Sequence, residues 1–458
     1  MPSYVLRVIS LFVTMIYTSL SLYACNVETG GAESVLPADA YPIGLTGEVE
    51  IISILQSRGE IGQNLQQAAD LYEPSSANIR LSIQTVANPS DYRIALRSRI
   101  LSGERVDIFH LFGHQDLLDM QGYTQNISDM SWVWDAVPGT LDAMSLGASS
   151  LYGVPYALDG AGLIVNRAIF EKANIYLGNI ITLEALEEIF IELQEKINEG
   201  ELAEDFPNLE AVTEFSAQDK AWLGDTISNM LLAGAFETPN EAALANYVDM
   251  PQMEHAEEFI RIMALYSSCT KWEQLNETTQ YKQLENGMAT QRIAVIFQNV
   301  SAYTRITAAN PEIKDDLRLL PVPIVQNDVP ESAVFAGAPA YWAVNSTSST
   351  ETQTEAKRFL TWLYCSDEGA AALAGQLGVL SPYRETARDT GVPLHNQLLG
   401  YIDAGKMRPQ LQNEFPLEWG GNTVADGIQN YLTHDITWAD LEQSCREAWH
   451  SGRSALID

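Results

Sequence analysis

The stretch from residue 48 to residue 112 decides the fold. It reads EVEIISIL (48–55), GQNLQQAADLY (62–72), IRLSIQTV (79–86), YRIALRSRIL (92–101) and VDIFHLF (106–112). The first and last are apolar runs of strand length, and the third alternates apolar with polar residues like a half-buried strand. Between them, Leu65, Ala68, Ala69 and Tyr72 recur at helical spacing. A strand–helix–strand–helix–strand order with short links implies parallel pairing through right-handed crossovers, so an α/β body begins here.

The same alternation continues along the chain. Thr182 precedes a helix whose Leu183, Leu186, Ile189, Phe190, Leu193 and Ile197 share one face, and Gly200 ends it. Thr352 and Glu355 have the spacing of a capping box ahead of Ala356, Phe359, Leu360 and Leu363. These stripes read as core packing. At 458 residues, the chain is long enough for two or three domains.

Toward the N-terminus the pattern changes. Arg7 is the only charge before residue 25, Val5 to Leu22 is mostly apolar, and small Ala24 precedes Cys25. That is the order of a secretory signal. Leu22-Tyr23-Ala24-Cys25 resembles a lipobox, with Tyr23 where a smaller residue is usual. We therefore expect a lipoprotein signal peptide over 1–24, a lipid on Cys25 and a Gly-, Pro- and acid-rich tether over 25–45. A retained signal anchor, or plain cleavage with Cys25 incidental, is the alternative. No later stretch has the roughly 18–20 apolar residues of a membrane span.

Composition excludes other classes. Sixty acidic against 26 basic residues give a net charge of −34. Nucleic-acid binding needs clustered Lys and Arg to displace counterions, so no nucleic-acid partner is expected. Motifs for a nucleophile elbow, a zinc protease or a phosphate loop are missing from the sequence. The six His are scattered, and the pair His110 and His114 has no third ligand in view, so neither metal nor cofactor is expected. Cys269, Cys365 and Cys445 leave a disulfide and buried thiols both open.

Four segments, in order, carry a resemblance. Val106-Asp-Ile-Phe109 leads into His-Leu-Phe-Gly-His114. Tyr152-Gly-Val-Pro-Tyr-Ala-Leu-Asp-Gly160 runs through Asn166 to Phe170-Glu-Lys-Ala-Asn-Ile175. Gly287-Met-Ala-Thr-Gln-Arg-Ile-Ala-Val-Ile296 follows. Last come Ala340-Tyr-Trp-Ala-Val-Asn345, Lys357-Arg-Phe-Leu-Thr-Trp362, Ser366-Asp-Glu-Gly369 and Gly378-Val-Leu-Ser-Pro-Tyr383. Together they are similar to the extracellular solute-binding proteins of ABC importers, in the sugar-binding, maltodextrin-binding-protein-like branch.

The resemblance implies a two-lobed α/β fold of the periplasmic-binding-protein type, with interlobe crossings and a ligand cleft. Lobe 1 would comprise 46–157 plus 337–390, and lobe 2 158–336 plus 391–458. It implies a monomeric, non-enzymatic protein on the outer face of the cytoplasmic membrane, capturing a carbohydrate, more plausibly an oligosaccharide, for the permease subunits of an ABC transporter. Rival readings are a different solute such as a polyamine or an iron complex, a surface glycan hydrolase or lyase, and a sensor subunit. Sugar rings present apolar faces to aromatic side chains and hydroxyl edges to charged and amide groups. Carried over, the ligand-binding candidates are Arg58, His110, Phe112, Gln115, Asp159, Trp222, Asn299, Tyr303, Gly337 and Trp419. Asn299 and Tyr303 stand where relatives carry a Gly-Pro-Trp turn, and Gly337 stands where they carry a Gly pair.

Overall fold

The computed structural model describes residues 50–454 apart from 73–78, 179, 269–280, 327–328 and 385–389. The signal, Cys25, the tether and Cys269 lie outside the described residues. The first seven strands are β1 (Glu50–Gln56), β2 (Ile79–Thr85), β3 (Ile108–Leu111), β4 (Val154–Pro155), β5 (Asp159–Asn166), β6 (Ala211–Thr213) and β7 (Ile293–Asn299). The remaining five are β8 (Leu317–Leu320), β9 (Val322–Gln326), β10 (Val329–Gly337), β11 (Tyr341–Val344) and β12 (Met407–Pro409).

They form two sheets. The first has the order β2-β1-β3-β11-β4, with β1 parallel to β2 and β3, and β11 antiparallel to β3 and β4. The second has the order β12-β10-β5-β7-β6, with β8 added beside β5 and β9 beside β10. The strand–helix repeat at 48–112 becomes β1, helix α1 (Gly62–Tyr72), β2, helix α2 (Pro89–Ser102) and β3. Local chemistry sets α2 at both ends. Asn88 accepts from the backbone N–H groups of Ser90 and Asp91, Pro89 opens the first turn, and Gly103 closes the helix at φ 77°.

Thr182 caps the helix Leu183–Glu199 through the Ala185 N–H, and Gly200 ends it in the left-handed region. At the later helix the cap falls earlier than the sequence suggests. Ser349 Oγ accepts from Thr352 N–H, and the helix runs Thr350–Cys365. Thr352 is instead a buried first-turn residue whose hydroxyl donates to Glu50.

Each sheet has its own core. One cluster joins Ile52, Ile54, Leu65, Phe109, Tyr156, Trp342, Phe359 and Leu363; the other joins Leu163, Phe190, Trp222, Phe259, Phe297, Phe335 and Trp449. Each fully buried side chain of this size contributes ~1.5–3 kcal/mol. The result is a two-lobed α/β fold. The chain passes from first sheet to second between Pro155 and Asp159 and returns between Gly337 and Tyr341. Leu158 pairs with Leu380, and Ala136 with Tyr383, beside these passages. Among the described residues no helix is long and apolar enough to cross a membrane.

Candidate functional site

The crossings bring strand ends from both sheets to one place. Asp159 opens β5 opposite Gly337, the last residue of β10, and Ala161 pairs with Asn299, the last residue of β7. Arg58 follows β1 of the first sheet. Crevices at strand carboxyl ends are where α/β sheets present loops to ligands.

The half-buried Asp159 carboxylate accepts from the Gly160 N–H at 2.8 Å. Burial raises its pKa; the Gly160 N–H, the Arg58 charge and hydrogen bonds from Ser301 oppose that rise. One carboxylate is thus approached by a guanidinium from the first lobe and a hydroxyl from the second. Asn299 Oδ1 accepts from Gln410 Nε2 at 3.0 Å. Gly337 leaves room for Gln410, since a Cβ there would lie 3.3 Å from the Gln410 Cβ. Arg58, Asp159, Asn299 and Gly337 therefore come together, joined by Ser301 and Gln410.

His110 lies behind them, fully buried. Its Nδ1 accepts from Ser57 N–H at 3.2 Å, which places the ring proton on Nε2. Nε2 finds no hydrogen-bond partner among the described residues, and the ring lies 3.9 Å from Trp342 and 5.6 Å from Tyr156, centroid to centroid. Burial, reinforced by the Arg58 charge, holds its pKa well below the usual histidine value. A neutral His110 thus positions Ser57, next to Arg58.

Among the other candidates, Phe112 lines one small cavity with Gly337 and Gln410. Phe112 is buried, edge-on to Tyr92, with the Arg93 guanidinium 4.7 Å above its ring. Gln115, on helix α3 (His114–Met120), donates to Asp119 one turn on. Tyr303 is buried in the second core. Trp222 and Trp419 are each 2% exposed. The Trp222 indole N–H donates to the Phe297 carbonyl at 3.1 Å, and that of Trp419 to the Cys445 carbonyl at 2.8 Å. Phe415 and Trp449 pack edge-on against Trp419.

A further acid borders this region. Asp225 is exposed on a π-helical turn, Trp222–Ile227, whose other residues are buried. Gly224 meets Gly420 of a second π-turn, and a Cβ on Gly224 would lie 2.6 Å from the Gly420 carbonyl carbon. Asn229, one turn on, donates to Gln412 at 2.8 Å and accepts from Leu411 N–H. Although water reaches Asp225, the surrounding protein and then Asp219 push its carboxyl up to about 6. No sequence signal singles out Asp225, Ser301 or Gln410; in so acidic a chain one more Asp carries no weight.

Among the described residues no three His, Cys, Asp or Glu are grouped to hold a metal ion. Cys365 and Cys445 are free thiols; burial of Cys445 pushes its thiol up to about 12.

A model of the family described as "Bacterial extracellular solute-binding protein" matches residues 57–370. No curated protein sequence matches the chain. Solved structures share the fold. An open conformation of the binding protein msme of Bacillus subtilis superposes with TM-score 0.71 at 18% identity, over 90% of this chain and 99% of that one. A sugar transporter protein of Bacillus licheniformis, in complex with stachyose, gives 0.62 at 18% identity, over 88% and 100%. The maltose-bound MalE3 of T. maritima gives 0.65 at 15% identity, over 87% and 98%. At these identities the likeness is one of fold.

Proposed function

The chain belongs to the bacterial extracellular solute-binding protein family, and from that premise we propose that it captures a carbohydrate, an oligosaccharide in particular, for an ABC importer. The observation that carries this reading is the meeting of Arg58, Asp159, Ser301, Asn299 and Gln410 at the strand ends of two lobes. A carboxylate, a guanidinium and amides at one crossing supply the acceptors and donors that hydroxyl edges need. The solved relatives holding stachyose and maltose support the solute class.

We assign ligand contact to Arg58, Asp159, Asn299 and the backbone at Gly337, with His110 acting through Ser57. Lobes of 46–157 plus 337–390 and 158–336 plus 391–458 would rotate about the crossings, and the closed form would be the one a permease reads. Export through the signal over 1–24 and a lipid on Cys25 would hold the monomer on the outer face of the membrane.

A titration of the purified protein with neutral oligosaccharides, followed by Trp fluorescence and calorimetry, tests the proposal. Saturable binding of one sugar supports it. Heat from a polyamine with none from any sugar would overturn it in favour of the second reading, a cationic solute, which the exposed acid Asp225 beside Asp219 favours.

A further inference from the structure

Glu414 belongs to the second lobe but spends its carboxylate on the first. It ends the short turn Gln412–Glu414, which Asn229 holds through the Leu411 N–H and Gln412. Arg453 of the C-terminal helix Trp438–Ser454 donates to the Glu414 carbonyl. The carboxylate reaches the other way. Both oxygens accept from the backbone N–H of His114, at 2.8 and 3.1 Å, where α3 begins in the first lobe. His114 is fixed on that side by its ring nitrogen against the Ala143 carbonyl at 3.0 Å. Glu414 is 2% exposed. A Cβ at Gly113 would lie 2.5 Å from Glu414 Oε1 and 2.7 Å from the Asn413 carbonyl oxygen, so only glycine lets this carboxylate seat.

We propose that Glu414 is a proton-linked latch between the lobes: in its protonated form it holds the two bodies in the arrangement seen here, and its ionisation releases them. Burial pushes the carboxyl up to about 8; Asp116 adds to the rise, while the His114 N–H, Arg453 and Arg93 oppose it. Facing it across the junction are Tyr341, raised by burial and by the charges of Glu414 and Asp142, and Asp142, raised by burial and by Glu241. Glu237 lines the same small cavity. The His114 ring is held below its usual value by burial, which the Ala143 carbonyl opposes. None of the acids nearby favours an ionised Glu414.

The sign follows from linkage. A separated, hydrated Glu has a pKa of about 4.3. The docked arrangement therefore binds the proton more tightly. Its advantage is complete below about 4.3, declines as pH rises, and is gone above the docked value of about 8. One proton limits the change in the docked-to-separated ratio to about tenfold per pH unit.

Small-angle scattering of the solute-free protein between pH 5 and 9.5 reads the latch without reference to which solute binds. Wild type should expand as pH rises to about 8 and then level off. E414Q, neutral and of the same shape, should stay compact throughout, and E414A should be expanded at every pH. Far-UV circular dichroism confirms that each variant is folded; if E414A is not, E414Q decides. Expansion of E414Q in step with wild type would assign the change to general charge repulsion and overturn the proposal, as would a wild type that never expands or a compact E414A.

Discussion

Asp159→Asn separates the cost of an ionised carboxylate from its use. In the folded protein burial raises the Asp159 pKa despite Arg58, Ser301 and the Gly160 N–H. A carboxyl raised on folding contributes stability that is complete below the unfolded value of about 3.9 and is lost as pH rises through the folded value. Where Asp159 is ionised, wild type therefore carries a charge that burial disfavours. Asparagine keeps the shape and the acceptor for Gly160 N–H, so the solute-free variant should be more stable at pH 7, with the difference vanishing near pH 3. Binding should move the other way. A hydrogen bond to a charged group contributes about 1.5–3 kcal/mol and a neutral one about 0.5–1.5. Each solute hydroxyl held by Asp159 should thus lose about 1–1.5 kcal/mol, roughly five- to twelvefold in Kd. Urea denaturation at pH 3 and 7, with calorimetry on the sugar found by titration, reads both quantities. A variant less stable than wild type at pH 7 would refute the electrostatic argument, and unchanged affinity would remove Asp159 from the site.

Three further outcomes are expected. Trp419→Phe removes one ring of the indole and the N–H given to the Cys445 carbonyl; the void and the lost bond should destabilise the protein by about 1–3 kcal/mol in urea, while sugar affinity stays unchanged. A fall in affinity at constant stability would put Trp419 in the cleft. Asp225→Asn should flatten a pH profile in which wild-type affinity climbs as the carboxylate ionises through about 6; matching profiles for the two proteins would show that the solute does not touch it. Cys25→Ser should move the protein from the membrane fraction to the medium and remove a diacylglyceryl mass from the N-terminal peptide; an unchanged mass and fraction would leave plain cleavage.

How far the sequence carried the reading depended on distance along the chain. The alternation at 48–112 became β1, α1, β2, α2 and β3 because each of those elements is specified within its own residues. Thr182 and Gly200 bounded their helix for the same reason. Ser349 took the cap three residues before Thr352 because either hydroxyl can cap a helix start, and only their surroundings choose: Thr352 is drawn inward to Glu50, 302 positions away. Aromatic identity was weaker still, since a Trp that stacks on a sugar and a Trp that fills a core are written with the same letter. The bond from the indole of Trp222 to the Phe297 carbonyl, 75 residues on, gives it a place that periodicity does not announce.

The groups that the sequence did not mark share one property: they act only through long-range neighbours. Gln410 matters because it donates to Asn299, 111 positions earlier, and Glu414 because its carboxylate meets the amide of His114, 300 positions earlier. Two-lobed binding proteins concentrate such pairs at the crossings, because residues from distant parts of the chain meet where the lobes must both touch and separate. A contact that has to break cannot be as deeply over-determined as a core. It is therefore built from a few polar groups whose local sequence is unremarked, and burial tunes their ionisation. Asp159 beside Arg58, and Glu414 beside His114, are both of this kind. On the proposed reading, the burial that raises each carboxyl would make the junction sensitive to what enters it, a hydroxyl-bearing solute at Asp159 and a proton at Glu414.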